Sequence, residues 1–188
     1  MKKLLAALSS ISVFFSASAA AHELNRGVEA RFALFFPQSS TYRHLYGTVN
    51  PAFALEAFGK IKGPFMGWTN LEWLPGSGNS IGGHDATHIN ILNWGFGAKY
   101  AYRIKEKYTP YIGIGPNIST VWIHNHSHLH KRQSKTGIGF VIKSGFYWEF
   151  HSRFYCDFFA DYLYQYVQFR KNANVGGFHI GAGLGVKY

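Results

Sequence analysis

Phe178-His179-Ile180-Gly181-Ala182-Gly183-Leu184-Gly185-Val186-Lys187-Tyr188 is the stretch whose reading decides the fold. Phe178, Ile180, Ala182, Leu184, Val186 and Tyr188 occupy one phase; His179, Gly181, Gly183, Gly185 and Lys187 occupy the other. A period of two puts these sets on opposite faces of a β-strand. One face is apolar and ends in an aromatic ring, while the other is small or polar. A soluble sandwich would need only a modest bias between its faces. Here the alternation recurs upstream, segment after segment.

The first segment sets Val28, Ala30, Phe32, Leu34 and Phe36 against Glu29, Arg31, Ala33 and Phe35. A second, about Ala52 to Lys60, opposes Phe53, Leu55 and Ala57 to Ala54, Glu56 and Phe58; a third, Phe65 to Leu74, opposes Phe65, Thr69, Leu71 and Trp73 to Trp68, Asn70 and Glu72. The fourth, Thr87 to Tyr102, carries Leu92, Trp94, Phe96, Ala98 and Tyr100 opposite Asn93, Gly95, Gly97 and Lys99. Ile89 and Ile91 fall on its wrong parity, so a β-bulge is expected near Asn90. The fifth, Tyr108 to Ile123, alternates Ile112, Ile114 and Ile118 with Gly113, Gly115 and Asn117. Pro116 interrupts it, which speaks against a closed sheet, because a strand tolerates proline only at an edge or a bulge. The sixth, Gly137 to Phe150, and the seventh, Phe154 to Gln168, keep the alternation, and the terminal segment makes eight.

Connections alternate in length. Short ones fall near Ile61–Pro64, Arg103–Lys107 and His151–Arg153; longer ones fall near Pro37–Pro51, Pro75–Ala86, His124–Lys135 and Phe169–Gly176. Short turns on one side and long loops on the other describe an up-and-down membrane barrel. Only helices and closed barrels satisfy their backbone hydrogen bonds inside a bilayer. A soluble barrel of lipocalin type is the competing reading, with its apolar face turned inward.

The N-terminus sets the compartment. Met1, Lys2 and Lys3 precede a short apolar run, Leu4 to Phe15, and small residues from Ser16 to Ala21. This is the pattern of a secretory signal peptide, with cleavage expected after Ala21 or Ala19. A membrane-anchor helix would need roughly 20 apolar residues, and this run is shorter. Residues 1–21 are therefore expected to be removed, and residues 22–188 to form one barrel domain exported to a bacterial outer membrane.

Composition fits that destination. Hydrophobic residues reach 47% and aromatic ones 18% of 188 residues, with 21 glycines, yet only 15% are charged. A soluble domain carries about 25% charge. The formal net charge of +10 is scattered, and no nucleic-acid motif accompanies it, so anionic lipid is the natural partner. Cys156 stands alone, so no internal disulfide forms, and it lies far from any lipoprotein acylation site.

Turning the apolar phase to lipid places Glu29, Arg31, Glu56, Asn70, Glu72, Lys99, Lys143, Glu149, Asp157, Asp161 and Lys187 in the lumen. Eight strands leave an interior just wide enough for side chains to fill. A paired charge plug is therefore expected over a polar permeation path or a proton-active site.

His124-Asn125-His126-Ser127-His128-Leu129-His130 puts four histidines at a spacing of two. Imidazole binds zinc, copper or nickel, so His124, His126, His128 and His130 are candidate metal ligands. His-rich tracts are also a common compositional feature of solvated loops, and Lys131 and Arg132 would repel a cation. His84 and His88 could join such a site, although the sequence does not bring them near. Arg43, Lys131, Arg132, Lys135, Arg170 and Lys171 fall on the long-loop side, where they could pair with lipopolysaccharide phosphates or simply solubilise the loops. Enzymatic readings are weak. His151-Ser152 is the only adjacent His–Ser pair in a turn, with no partnered motif, and neither glycine-rich strand is a nucleotide fingerprint. No cofactor is expected.

Arg31-Phe32-Ala33-Leu34-Phe35-Phe36-Pro37, Thr109-Pro110-Tyr111-Ile112-Gly113-Ile114-Gly115 and Gly181 to Tyr188 resemble the outer-membrane β-barrel domain family, which includes the OmpW-, OmpX- and OmpA-type small barrels. The resemblance spans about residues 23–188. It implies an eight-stranded antiparallel up-and-down transmembrane β-barrel, and a non-enzymatic role in envelope structure, surface interaction or narrow-channel transport. It also implies that the terminal aromatic, Tyr188 where the family usually has Phe, is read by the outer-membrane assembly machinery. The solute, surface ligand or host partner is not implied, because a barrel pattern is a fold signal and not a site.

Overall fold

The structure, a computed structural model, describes residues 24–79, 86–104, 107–125, 132–169 and 172–188. The stretch expected to be a signal peptide lies outside them. Alternating side chains build β1 (Arg26–Pro37), β2 (Asn50–Lys62), β3 (Phe65–Asn79), β4 (Ala86–Ala101), β5 (Tyr108–Asn125), β6 (Arg132–Glu149), β7 (Phe154–Gln168), a three-residue β8 (Asn172–Asn174) and β9 (Gly177–Lys187). Each of β1 to β7 pairs antiparallel with the next; β7 also pairs with β9, and β9 with β1. The sheet therefore closes as an eight-strand ring and has no edge. β8 only extends β7 beyond the ring, through Tyr166↔Asn174 to Gln168↔Asn172.

Facing decides between a membrane barrel and a soluble one. The outward face carries Phe32, Leu55, Trp73, Trp94, Ile114, Phe140, Phe158 and Leu184, with Leu55 61%, Ile114 59% and Leu184 57% exposed. The inward face buries Glu29, Arg31, Glu56, Lys99, Lys143, Asp157 and Asp161, with Lys99 and Asp157 at 0% exposure. In water this arrangement would strand the apolar face and desolvate the charges for no gain. In a bilayer the apolar band is solvated by lipid. Among the described residues, no helix is long and apolar enough to cross a membrane.

Two expectations from the sequence are corrected. No bulge occurs at Asn90. Register runs unbroken through Leu74↔Ile91, Pro75↔Asn90 and Gly76↔Ile89, and Ile89 and Ile91 simply point inward, buried. Nor does Pro116 open the ring. It lies mid-wall, opposite Phe140 on β6, with unshifted register on both sides. The cost appears as a gap in the β4–β5 ladder, where Phe96 and Gly97 lack register partners. There the two backbones close on each other, because a Cβ at Gly97 would fall on the Ile114 carbonyl and the Gly115 Cα.

The connection after β1 is not irregular throughout. Ser40–Tyr46 forms a helix, α1, whose N-cap Ser39 accepts a hydrogen bond from the Tyr42 amide at 3.3 Å. Gly47 ends it at φ 93°, in the region favoured by glycine. The short connections after β2, β4 and β6 gather at the opposite end.

Candidate functional site

The lumen changes chemistry along its axis. At the short-turn mouth Glu149 bridges Lys187 and Arg103, the latter at 3.5 Å. Next comes a layer of buried rings. Tyr147 stacks on Tyr111 at 4.7 Å, meets Tyr155 edge-on at 5.3 Å, and packs against Phe58.

The central cluster is built around Arg31. Its Nη1 reaches Glu56 Oε2 at 2.9 Å and Asp161 Oδ2 at 3.0 Å; Nη2 reaches Asp157 Oδ2 at 2.9 Å, and Nε lies 3.5 Å from Glu29 Oε1. Its guanidinium carbon sits 3.5 Å above the centre of the Phe159 ring. Lys143 Nζ bridges Asp161 Oδ2 at 2.7 Å and Glu56 Oε2 at 3.0 Å. Lys99 Nζ donates to the Glu56 carboxylate and to the Tyr147 hydroxyl at 2.7 Å. The Tyr111 hydroxyl accepts from Arg31 Nη2 at 3.1 Å and donates to Asp157 Oδ1 at 2.9 Å. These residues come from β1, β2, β4, β5, β6 and β7, so the plug ties most of the wall together. Glu29 is the least satisfied member, since neither carboxylate oxygen has a hydrogen-bond partner.

Above this cluster uncharged amides and hydroxyls predominate, around Glu72 and His179. Asn93 Nδ2 donates to Glu72 Oε2 at 2.8 Å, and His179 Nε2 lies 3.4 Å from the same oxygen. Asn117 Nδ2 donates to Ser119 Oγ and Gln165 Oε1, at 2.9 and 3.1 Å. A cavity of about 20 Å³ lies among Asn70, Glu72, Asn117, Lys143, Asp161 and His179, enough for one water. His179 then stacks on Phe35 at 4.7 Å, and the interior turns apolar. Phe35, Leu74, Ile89, Ile91, Val121 and Val167 fill it, and α1 seals it with Tyr42 and Tyr46. Tyr42 meets Phe35 edge-on at 5.9 Å, and the α1 backbone lies directly against Gly78. Burial in this mouth pushes both phenols up from the usual tyrosine value.

The predicted lumen charges therefore share one interior, in three tiers rather than one. Sequence reasoning missed the rings between the tiers, Tyr111, Tyr147 and Tyr155, and His179 at the top. Their inward parity was the available signal. Tyr188 follows β9 at the short-turn mouth, its amide donating to the Arg26 carbonyl at 3.3 Å.

At the loop end His124 stands in β5, while His126, His128 and His130 lie outside the described residues, as do His84, Lys131, Arg170 and Lys171. His88 is brought to His124 as its register partner across β4 and β5. Arg43 Nη1 donates to the carbonyls of Pro37 and Gln38, at 2.9 and 2.8 Å, and so fastens α1 to β1. At the other end His151 Nδ1 accepts from the Arg153 amide at 3.3 Å, which makes this imidazole a turn element.

No family model and no curated protein matches the sequence. Solved structures do match the fold. Neisserial surface protein A aligns at TM-score 0.65 with 16% identity, covering 87% of this chain and 97% of that one. OprG, an outer membrane protein of Pseudomonas aeruginosa, aligns at 0.65 with 13% identity, covering 89% and 98%. Ail, the attachment invasion locus protein of Yersinia pestis, in complex with the heparin analogue sucrose octasulfate, aligns at 0.57 with 14% identity, covering 87% and 99%. With its closed ring, outward apolar band and charged lumen, the chain is an eight-stranded up-and-down β-barrel and shares the fold of these small outer-membrane proteins.

Proposed function

We propose that this protein is a non-conducting, non-enzymatic barrel of a bacterial outer membrane, exported behind a signal peptide over residues 1–21. Residues 22–188 then form the mature domain, which stabilises the envelope and presents its long loops outward. One observation carries this reading. The lumen is filled from Lys187 to Tyr46, first by ion pairs and rings, then by an apolar cap under α1. Ions crossing it would have to displace buried, paired charges and then pass a closely packed, mainly apolar layer. Lipid is the bulk partner, and cations at the long-loop end such as Arg43 in α1 and Lys135 in β6 suit lipopolysaccharide phosphates or another anionic surface ligand. The Tyr188 ring is proposed as the mark read by the assembly machinery.

The test is conductance of the refolded mature chain in a planar bilayer, with heat-modifiable gel mobility confirming that the barrel is folded. Folded protein that gives no discrete openings supports the reading. Reproducible single-channel steps replace it with a narrow channel.

A further inference from the structure

We propose that His88 and His124 form a divalent transition-metal site on the outward face of the barrel, at its long-loop end. The pair is a product of register. β4 and β5 match Ile91 with Val121, Asn90 with Trp122 and Ile89 with Ile123, and so place His88 directly opposite His124. Both have the parity of the outward-facing Trp94 and Trp122, so both imidazoles leave the same face of the sheet. Directly opposed residues on one face hold their Cβ atoms about 4.5–5.5 Å apart, a separation from which two imidazoles can converge on one ion.

Position favours an aqueous ligand over lipid. The next outward rung toward the membrane is Asn90 and Trp122; Trp73 Nε1 donates to Asn90 Oδ1 at 3.1 Å, and Leu92 lies one rung deeper. The indoles of Trp73 and Trp122 mark the interfacial girdle, and the histidine pair stands one rung beyond it, on the watery side. Ser77 is the register partner of His88 on β3, which adds a hydroxyl to the same row. The row Ser77–His88–His124 is fixed by backbone pairing on both sides of β4, so little ordering is needed on binding.

Among the described residues, no three His, Cys, Asp or Glu side chains meet in a metal-binding group. The site is accordingly a two-imidazole one, with its remaining positions left to water or the Ser77 hydroxyl. Two nitrogen ligands with open positions suit Cu(II), Ni(II) or Zn(II) and not Mg(II) or Ca(II), which prefer oxygen. Because the other histidines of the tract are not needed, this site differs from a chelating loop.

The test is Cu(II) titration of the folded mature barrel in detergent, read by dialysis for stoichiometry and by electron paramagnetic resonance for coordinated nitrogen. Wild type should bind one tight equivalent with a two-nitrogen signature. His88→Ala and His124→Ala should each weaken that equivalent at least tenfold and leave one nitrogen or none. A triple variant, His126→Ala, His128→Ala and His130→Ala, should keep the site. Binding by His88→Ala equal to wild type, loss of the site in the triple variant, or no tight equivalent in wild type would each overturn the proposal. The single substitutions lie outside the lumen, so unchanged heat-modifiable mobility serves as the folding control. Conductance is not involved, and the proposal stands or falls apart from the plugged-barrel reading.

Discussion

The lumen is closed twice, by different chemistry. In the half nearer the short turns, Arg31, Lys99 and Lys143 face Glu29, Glu56, Asp157 and Asp161. Toward the loops, Phe35, Leu74, Ile91, Val121 and Val167 fill the same bore with hydrocarbon. The first closure depends on position, since a charge moved or removed leaves its partners unneutralised in a dry interior. The second depends mainly on volume, and hydrocarbon of about the right size will serve. The plug therefore fixes how the strands are arranged, while the cap tolerates change.

Substitutions can break that contrast, starting with the largest effect. Arg31→Ala removes the cation shared by four carboxylates, and should cost about 3–5 kcal/mol or prevent refolding, as read by urea titration in lipid. A loss below 1 kcal/mol would mean the cluster does not organise the barrel. Phe140→Arg or Leu184→Arg on the outer face should cost about 2–4 kcal/mol and slow membrane insertion. Unchanged insertion of both would reverse the facing. In the cap, Ile91→Val should cost only about 1 kcal/mol in the same titration. A cost equal to that of Arg31→Ala would erase the difference between the two closures. Smallest of all, Ser39→Ala should destabilise α1 by about 1 kcal/mol through its lost cap, seen as faster proteolysis of the first long connection with the barrel intact.

The wall was legible because strand and lipid agree. Lipid demands an apolar residue at every second position, and β1 and β9 supply one almost without exception. The charged tier was legible for the same reason, since Arg31 or Asp157 facing lipid would be prohibitive. The cap was not, because apolar residues facing inward break the very rule that identifies the strand. Ile89 and Ile91 thus read as a slipped phase, although Phe35 and Val121 carry the same anomaly at the same height. α1 escaped notice because seven residues give too short a period to see. The His88–His124 pairing was illegible in principle, since it depends on register across a connection whose length alone does not set it.

Pro116 leaves a final consequence, in time and not in space. A ring joined by eight ladders would open everywhere at one rate if they were equal, and they are not. The β6–β7 ladder has its own gap at Lys143 and Ser144, but there the Ser144 amide donates to Asp161 Oδ1 and its hydroxyl to the Ala160 carbonyl. At Phe96 and Gly97 two backbones merely touch. Fluctuations of the wall should begin along that line, and the one amide of Phe96 and Gly97 that points toward β5 should take up deuterium ahead of those at the centre of β6.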